Sequence, residues 1–465
     1  MIKHCRKLLS AVILTSPLLA LSSANASTLL EIYDQALTND HTYKAAQAGY
    51  AAGRESRNIG RAGLLPTINA SASWTDSSGD TTYSGPVDTG AGITYINDQK
   101  SSSDSTRTGY EVALVQPLFN MALWQNYQLS KATGDIAKAQ YRMAEQKLII
   151  RVAEAYFNAL QAVDNLQTAR AEENALSHQL EQTRQRFEVG LTAITEVHEA
   201  QAVFDSSMAE RIIAEGLLGI AFEALEVITG QPYNELAPLR DDVPVALPVP
   251  QERNAWVDLA LNNNFSLQTQ ELTAETARRA AAAQKAGHYP TVTGRLGLSD
   301  YDTNAGEGFD ETDTNNQGTS IGITVSVPIF NGGGTSASRR KAQQEYIQAK
   351  EILKQTQRDI VQVTRSLHLT VVTSVTTVKA RNQAITSNQS ALEATQAGYD
   401  VGTRDLVDVL NAQRNLYRAQ RNYLDSLYTY ILTSLRLKES AGTLSAVDIT
   451  ELNQWLDFSR TASRM

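Results

Sequence analysis

The chain carries the same turn twice, and that duplication restricts its possible folds more than any other feature. Arg186 to Asp205 reads RFEVGLTAITEVHEAQAVFD, and Gly398 to Gln420 reads GYDVGTRDLVDVLNAQRNLYRAQ. Aligned without a gap at an offset of 212, Phe187 falls on Tyr399, Gly190 on Gly402, Glu196 on Asp408 and Val197 on Val409. Gly190 and Gly402 each follow a run with few breakers, where a helix end needs a residue tolerant of left-handed backbone. Thr195 is placed to cap the next helix, with Glu196 favourable in its first turn; Thr403 and Asp405 are placed for the same work in the second copy. The predicted element is a tight turn between two long helices.

The duplication extends over most of the chain. Residues 63–67, GLLPT, match 287–291, GHYPT, at an offset of 224, and 115–120, VQPLFN, match 326–331, SVPIFN, at 211. The offset falls by 13, so the segment between Pro66 and Pro117 is 13 residues longer than its counterpart. In that segment Ile321, Ile323, Val325 and Val327 alternate with small or polar residues, as do Ile68, Ala70, Ala72 and Trp74 in the first copy. This period of two predicts a strand hairpin in each half, about 67–116 and 291–327, with strands of about ten residues and polar tips, Asp76 to Thr108 and Asp300 to Gly318. Strands of that size with one apolar face suit an outer-membrane barrel. Four strands cannot close one, since known bacterial barrels start at about eight, so the chain must oligomerise.

From Asn120 to Gly190 and from Asn331 to Gly402 there is no proline, and about 70 residues of helix would span roughly 105 Å. Beyond the second turn, Leu406, Val409, Gln413 and Leu416 form one stripe, and Val407, Leu410, Tyr417 and Leu424 form another beside it. Two stripes mean neighbours on two sides, as in a wall of helices.

At the front, Lys3, Arg6 and Lys7 precede an apolar run from Leu8 to Leu21 and a small-residue cleavage site, Ala24-Asn25-Ala26, so 1–26 reads as an export signal. The single cysteine, Cys5, lies inside it. Removing three of the 41 basic residues leaves 38 against 50 acidic ones, a balance of −12, which argues against a nucleic-acid partner. No mature stretch approaches the roughly 20 apolar residues of a spanning helix. The expected organisation is a first repeat over 27–236, a Pro-rich linker over 237–252, a second repeat over 253–445 and a tail over 446–465. Scattered histidines and a Gly332-Gly333-Gly334 run lacking a following Lys-Ser/Thr support no enzyme, metal or cofactor site.

Together the order of elements, GLLP and GHYP at the strand entries, QPLFN and VPIFNGG at the strand-to-helix corners and the two turns resemble the TolC family of outer-membrane efflux and secretion channels. The resemblance covers essentially the whole mature chain. It implies a mixed α and β fold with an internal two-fold repeat. Three protomers would build a 12-stranded outer-membrane β-barrel, continued by a long periplasmic α-helical barrel with a mixed equatorial belt. Such a homotrimer is a passive exit duct for drugs, detergents or proteins, contacts outer-membrane lipid, and works with a periplasmic adaptor and an inner-membrane pump of RND, ABC or MFS type. The resemblance further implies a gate in which Tyr399 and Arg404 face Thr195 and Glu196, a link between Gln179 and Gln396, and a tunnel-mouth ring at Asp408. Glu196 stands where the family has aspartate, and Asn411 where it has a second acidic ring. The alternatives are a secreted coiled-coil scaffold or adhesin and a constitutively open porin.

Overall fold

The computed structural model describes residues 26–305 and 313–464; the export signal, Ala26 apart, lies outside the described residues. Helices α1 (Leu29–Asn39) and α2 (His41–Ala62) lead to strands β1 (Thr67–Asp88) and β2 (Ile93–Phe119). Helix α3 (Met121–Glu188) turns back into α4 (Ile194–Thr229), and a two-residue strand, β3 (Glu235–Leu236), opens the Pro-rich stretch. The second half runs α5 (Arg253–Asn263), α6 (Phe265–Ala286), β4 (Thr291–Ala305), β5 (Thr314–Ser326), α7 (Gly334–Asp400) and α8 (Leu406–Ser440). Helix α9 (Ala446–Asn453) and β6 (Ala462–Ser463) close the chain. Each half therefore presents two helices, two strands and two long helices.

The strands form one antiparallel sheet in the order β1-β2-β4-β5. They are longer than the sequence pattern suggests. β1 has 22 residues and β2 has 27, and their pairing continues to Asp88 opposite Ile93, through the stretch read above as a polar tip. Alternation reports which face is apolar, whereas backbone pairing needs no such contrast where both faces are polar. Hydroxyl and carboxylate pairs supply the cross-strand contacts there, Ser77 to Ser105 at 2.9 Å and Thr106 to Asp76 at 3.0 Å. In the second half, part of the tip, 306–312, lies outside the described residues.

Residues directly opposite one another share a face of the sheet. One cross-strand row is Ile68, Leu114, Leu296 and Ile321; the next is Ala70, Val112, Leu298 and Thr319. This apolar band is exposed, with Ile68 at 68% and Ile321 at 86% of full accessibility. The other face carries Ser71, Glu111 and Ser299, and Glu111 pairs with Arg295.

The helices form a slab four wide. α3 has 68 residues and α7 has 67, so each runs about 100 Å. Near the sheet the lateral order is α2, α3, α6, α7; toward the far tip it is α4, α3, α8, α7. The main core lies where these two groups meet. Tyr156, Phe157, Leu160, Phe222, Leu225 and Leu236 are buried there beneath α1, α9 and the β3–β6 pair. Tyr156 donates from its hydroxyl to the Ala237 carbonyl at 2.7 Å, pinning this belt to α3. Among the described residues, no helix is long and apolar enough to cross a membrane.

Candidate functional site

The far tip gathers most of the residues implicated above. At the first turn Gly190 adopts φ +78°, and the Leu191 amide donates to the Arg186 carbonyl at 2.8 Å, closing the end of α3. The second turn repeats this, with Gly402 at φ +78° and the Thr403 amide donating to the Gly398 carbonyl at 2.8 Å. The caps differ. Asp405 accepts from the Asp408 amide at 2.9 Å and starts α8, whereas α4 starts after Ala193 with no side-chain cap. Thr195 is therefore not the cap; it lies inside the first helical turn, two residues past Ala193, whose extended backbone marks the cap position. Thr403 instead donates to the Gly398 carbonyl at 3.0 Å.

A second, smaller core holds the four helix ends together. It consists of Leu176, Leu180, Ala200, Tyr399, Leu406, Val409 and Leu410. Tyr399 is only 5% exposed, and its hydroxyl lies 3.5 Å from Glu196 Oε2, at the outer limit of a hydrogen bond. Burial raises the Tyr399 pKa above its ordinary value; Arg186 opposes that shift and Glu196 adds to it. The phenol thus stays a donor.

Nothing in the sequence marks Arg186. Its guanidinium carbon lies 4.7 Å from the centre of the Tyr399 ring, within cation–π range. At the repeat offset of 212 its counterpart is Gly398, so the duplication gave no sign of it. Through this contact α3 joins α4 and α7 at one tyrosine.

Within one copy, Arg404 turns to Asp408, Nη1 to Oδ2 at 3.3 Å, rather than to Thr195 or Glu196. Both side chains are largely exposed, so the pair is weak. Gln396 donates to Asp400 at 3.2 Å, and buried Gln179 leaves its Nε2 without a partner, so these two amides are not paired within the chain. Asn411 accepts from Arg414. Tyr399 and Glu196 are brought together; Arg404 and Gln396 keep exposed polar groups available to a neighbouring molecule, whereas Gln179 Nε2 is buried and unpaired within the chain.

Asp408, Asn411, Asn415, Arg418 and Asn422 follow one another along a single face of α8. The opposite face, with Gln420, Tyr423, Leu424 and Leu427, meets the belt segment Pro238 to Asp241.

A family model described as outer membrane efflux protein matches residues 32–231 and 256–443. The outer membrane protein TolC of Vibrio cholerae is 36% identical over 456 residues, 98% of this chain and 100% of that protein. The alkaline protease secretion protein AprF of Pseudomonas aeruginosa is 30% identical over 439 residues, covering 93% of this chain and 88% of the relative. The crystal structure of the Campylobacter jejuni CmeC outer membrane channel superposes over 99% of both chains with a TM-score of 0.72 at 17% identity, a likeness of fold.

Proposed function

Because this chain belongs to the outer membrane efflux protein family, we propose that three copies close edge to edge into one duct, gated at the helical tip. The chain is an outer-membrane channel for efflux and type I secretion in a Gram-negative bacterium, extending into the periplasm. The single observation carrying the assembly is the sheet. Its apolar band is exposed, and β1 and β5 stand at its two edges. In lipid every strand edge must be paired, so one copy alone is not a stable spanning unit. Three copies would contribute twelve strands, enough for a barrel. The slab of helices would close in the same way, α7 of one copy meeting α2 and α4 of the next.

In this assembly Arg404 of one copy reaches Thr195 and Glu196 of the next, Gln179 meets Gln396, and three Asp408 carboxylates ring the mouth. The ring attracts cations, while Asn411 leaves the next position uncharged. A periplasmic adaptor and an inner-membrane pump of RND, ABC or MFS type deliver cargo and supply the energy.

Single-channel recording in a planar bilayer tests this. Detergent-purified wild type should give a small, cation-preferring conductance that rises several-fold when Tyr399→Phe and Arg404→Ser are combined. Asp408→Ala should lower cation preference with the tip still closed. A large wild-type conductance unaffected by the double variant would indicate an open porin, and failure to insert would indicate a secreted scaffold.

A further inference from the structure

Between α7 and α8, on the side of the slab away from the belt, lies a cleft of about 250 Å³. Its lining is unusual for a wall beside an acidic mouth. Arg381, Ala384 and Asn388 come from α7, and Asn415, Arg418, Ala419 and Asn422 from α8. Two guanidiniums and three amides line it, and no acid does.

Much of this donor capacity is unused. Arg381 spends Nη1 on the Asn422 carbonyl, and Asn388 donates to the Ala384 carbonyl at 2.7 Å. Among the described residues, the Arg418 and Asn415 side chains have no hydrogen-bond or ion-pair partner. A guanidinium offers five N–H donors in a planar fork that matches the oxygens of a phosphate or carboxylate.

The cleft also has a defined place relative to the mouth. Asp408, Asn411, Asn415, Arg418 and Asn422 lie along one face of α8, and the belt covers the opposite face near Gln420 and Leu424. Ten residues separate Asp408 from Arg418, about 15 Å along the helix. If the slab closes with Asp408 toward the lumen, Arg418 and Arg381 border the same lumen about 15 Å farther in.

We propose that this cleft is an oxyanion subsite on the duct wall, taking phosphate or carboxylate groups of cargo in transit. The proposal rests on the duct reading given above. Three copies then place six guanidiniums behind an acidic mouth, so the lumen changes sign along its length. Cations are drawn to the tip, and anionic groups are held inside it.

The test uses inorganic tripolyphosphate and, in a parallel arm, citrate, each added to the barrel side of the wild-type channel so that neither must pass the tip. Either anion should reduce single-channel current in a saturable way, and the two arms separate phosphate from carboxylate recognition. Arg418→Gln combined with Arg381→Gln should raise the half-blocking concentration about tenfold or more, the loss expected for charge-assisted hydrogen bonds. Asp408→Asn should leave the block unchanged while altering cation preference. Equal block in wild type and in the Arg418→Gln/Arg381→Gln channel overturns the subsite, as does a conducting wild type that neither anion affects. Should no conductance be seen, the duct reading fails instead. The cleft is then judged by titration calorimetry of the detergent-solubilised protein, where tripolyphosphate binding weakened in Arg418→Gln upholds an oxyanion site and equal or absent binding overturns it.

Discussion

Asp40 does two things from one buried position. One carboxylate oxygen accepts from the Tyr43 amide and caps α2, and the two oxygens receive Arg151 Nη1 and Nη2 at 2.8 and 2.9 Å. Burial alone would push its pKa up; the Arg151 hydrogen bonds and the Tyr43 amide outweigh that and hold it below the ordinary aspartate value. A depressed folded-state pKa gives stability that is present above the unfolded value and lost as pH falls through the folded one. Asp40→Asn should therefore destabilise the protein by about 2 kcal/mol at neutral pH through the lost charged pair with Arg151, since asparagine caps a helix about as well as aspartate. Thermal unfolding followed by helical circular dichroism should show that gap closing as pH falls through and below the ordinary aspartate range. The pair was only half legible. The offset of 224 aligns Asp40 with Asn264, which accepts from the Leu267 amide at 3.0 Å and likewise caps a helix. Arg151, 111 residues away, carries no sign in the sequence of which carboxylate it will meet. The same holds for Arg186 on Tyr399: both contacts depend on how helices lie side by side, which periodicity does not specify.

At the scale of elements, the turns concentrate what the tip requires. Gly402 sits at φ +78° with open space where a Cβ would stand, so an added methyl meets no neighbour and the cost is one of backbone conformation alone. Gly402→Ala should cost about 1 kcal/mol. That cost should appear as a lower denaturation midpoint with membrane insertion intact. Long helices are legible because a proline-free run of about 70 residues has few alternatives. Strand ends are not. Ser, Thr and Asp along residues 76–88, with Gly79, Gly85 and Pro86 among them, look like loop chemistry, yet they continue as a paired ribbon, with Pro86 only near its end and an irregularity between Tyr83 and Gly85. Choice of cap is similarly local: Thr195 has the right side chain one residue after the chain has already become helical.

For the whole molecule, the sheet decides where the protein resides. Ile323 is 70% exposed on the apolar face, opposite Gly294 and next to the row containing Ile321. Ile323→Arg would set a charge against lipid at a cost of roughly 2–4 kcal/mol per copy if it lies near the bilayer midplane. Membrane fractionation should show less assembled protein in the outer membrane, whereas Ser320→Arg on the other face should be tolerated. The mostly helical chain with an antiparallel sheet follows from alternation and from proline-free runs, both properties of single segments. How copies meet is a property of surfaces that one chain leaves uncovered, and it lies beyond what either pattern encodes.

The slab keeps its width of four helices from sheet to tip, yet α2 and α6 serve only its upper part and α4 and α8 only its lower part, while α3 and α7 run through both. Carpenters call this a lapped joint. At the belt, half of the members in each copy end and are replaced, and load along the axis passes through two uninterrupted rods. A torque applied at the tip is resisted there by α3 and α7, with the belt as the splice plate clamping the ends of the rest. Fastening that plate more tightly, for example by a disulfide between α9 and α1, should stiffen the duct against twisting without touching any residue at its mouth.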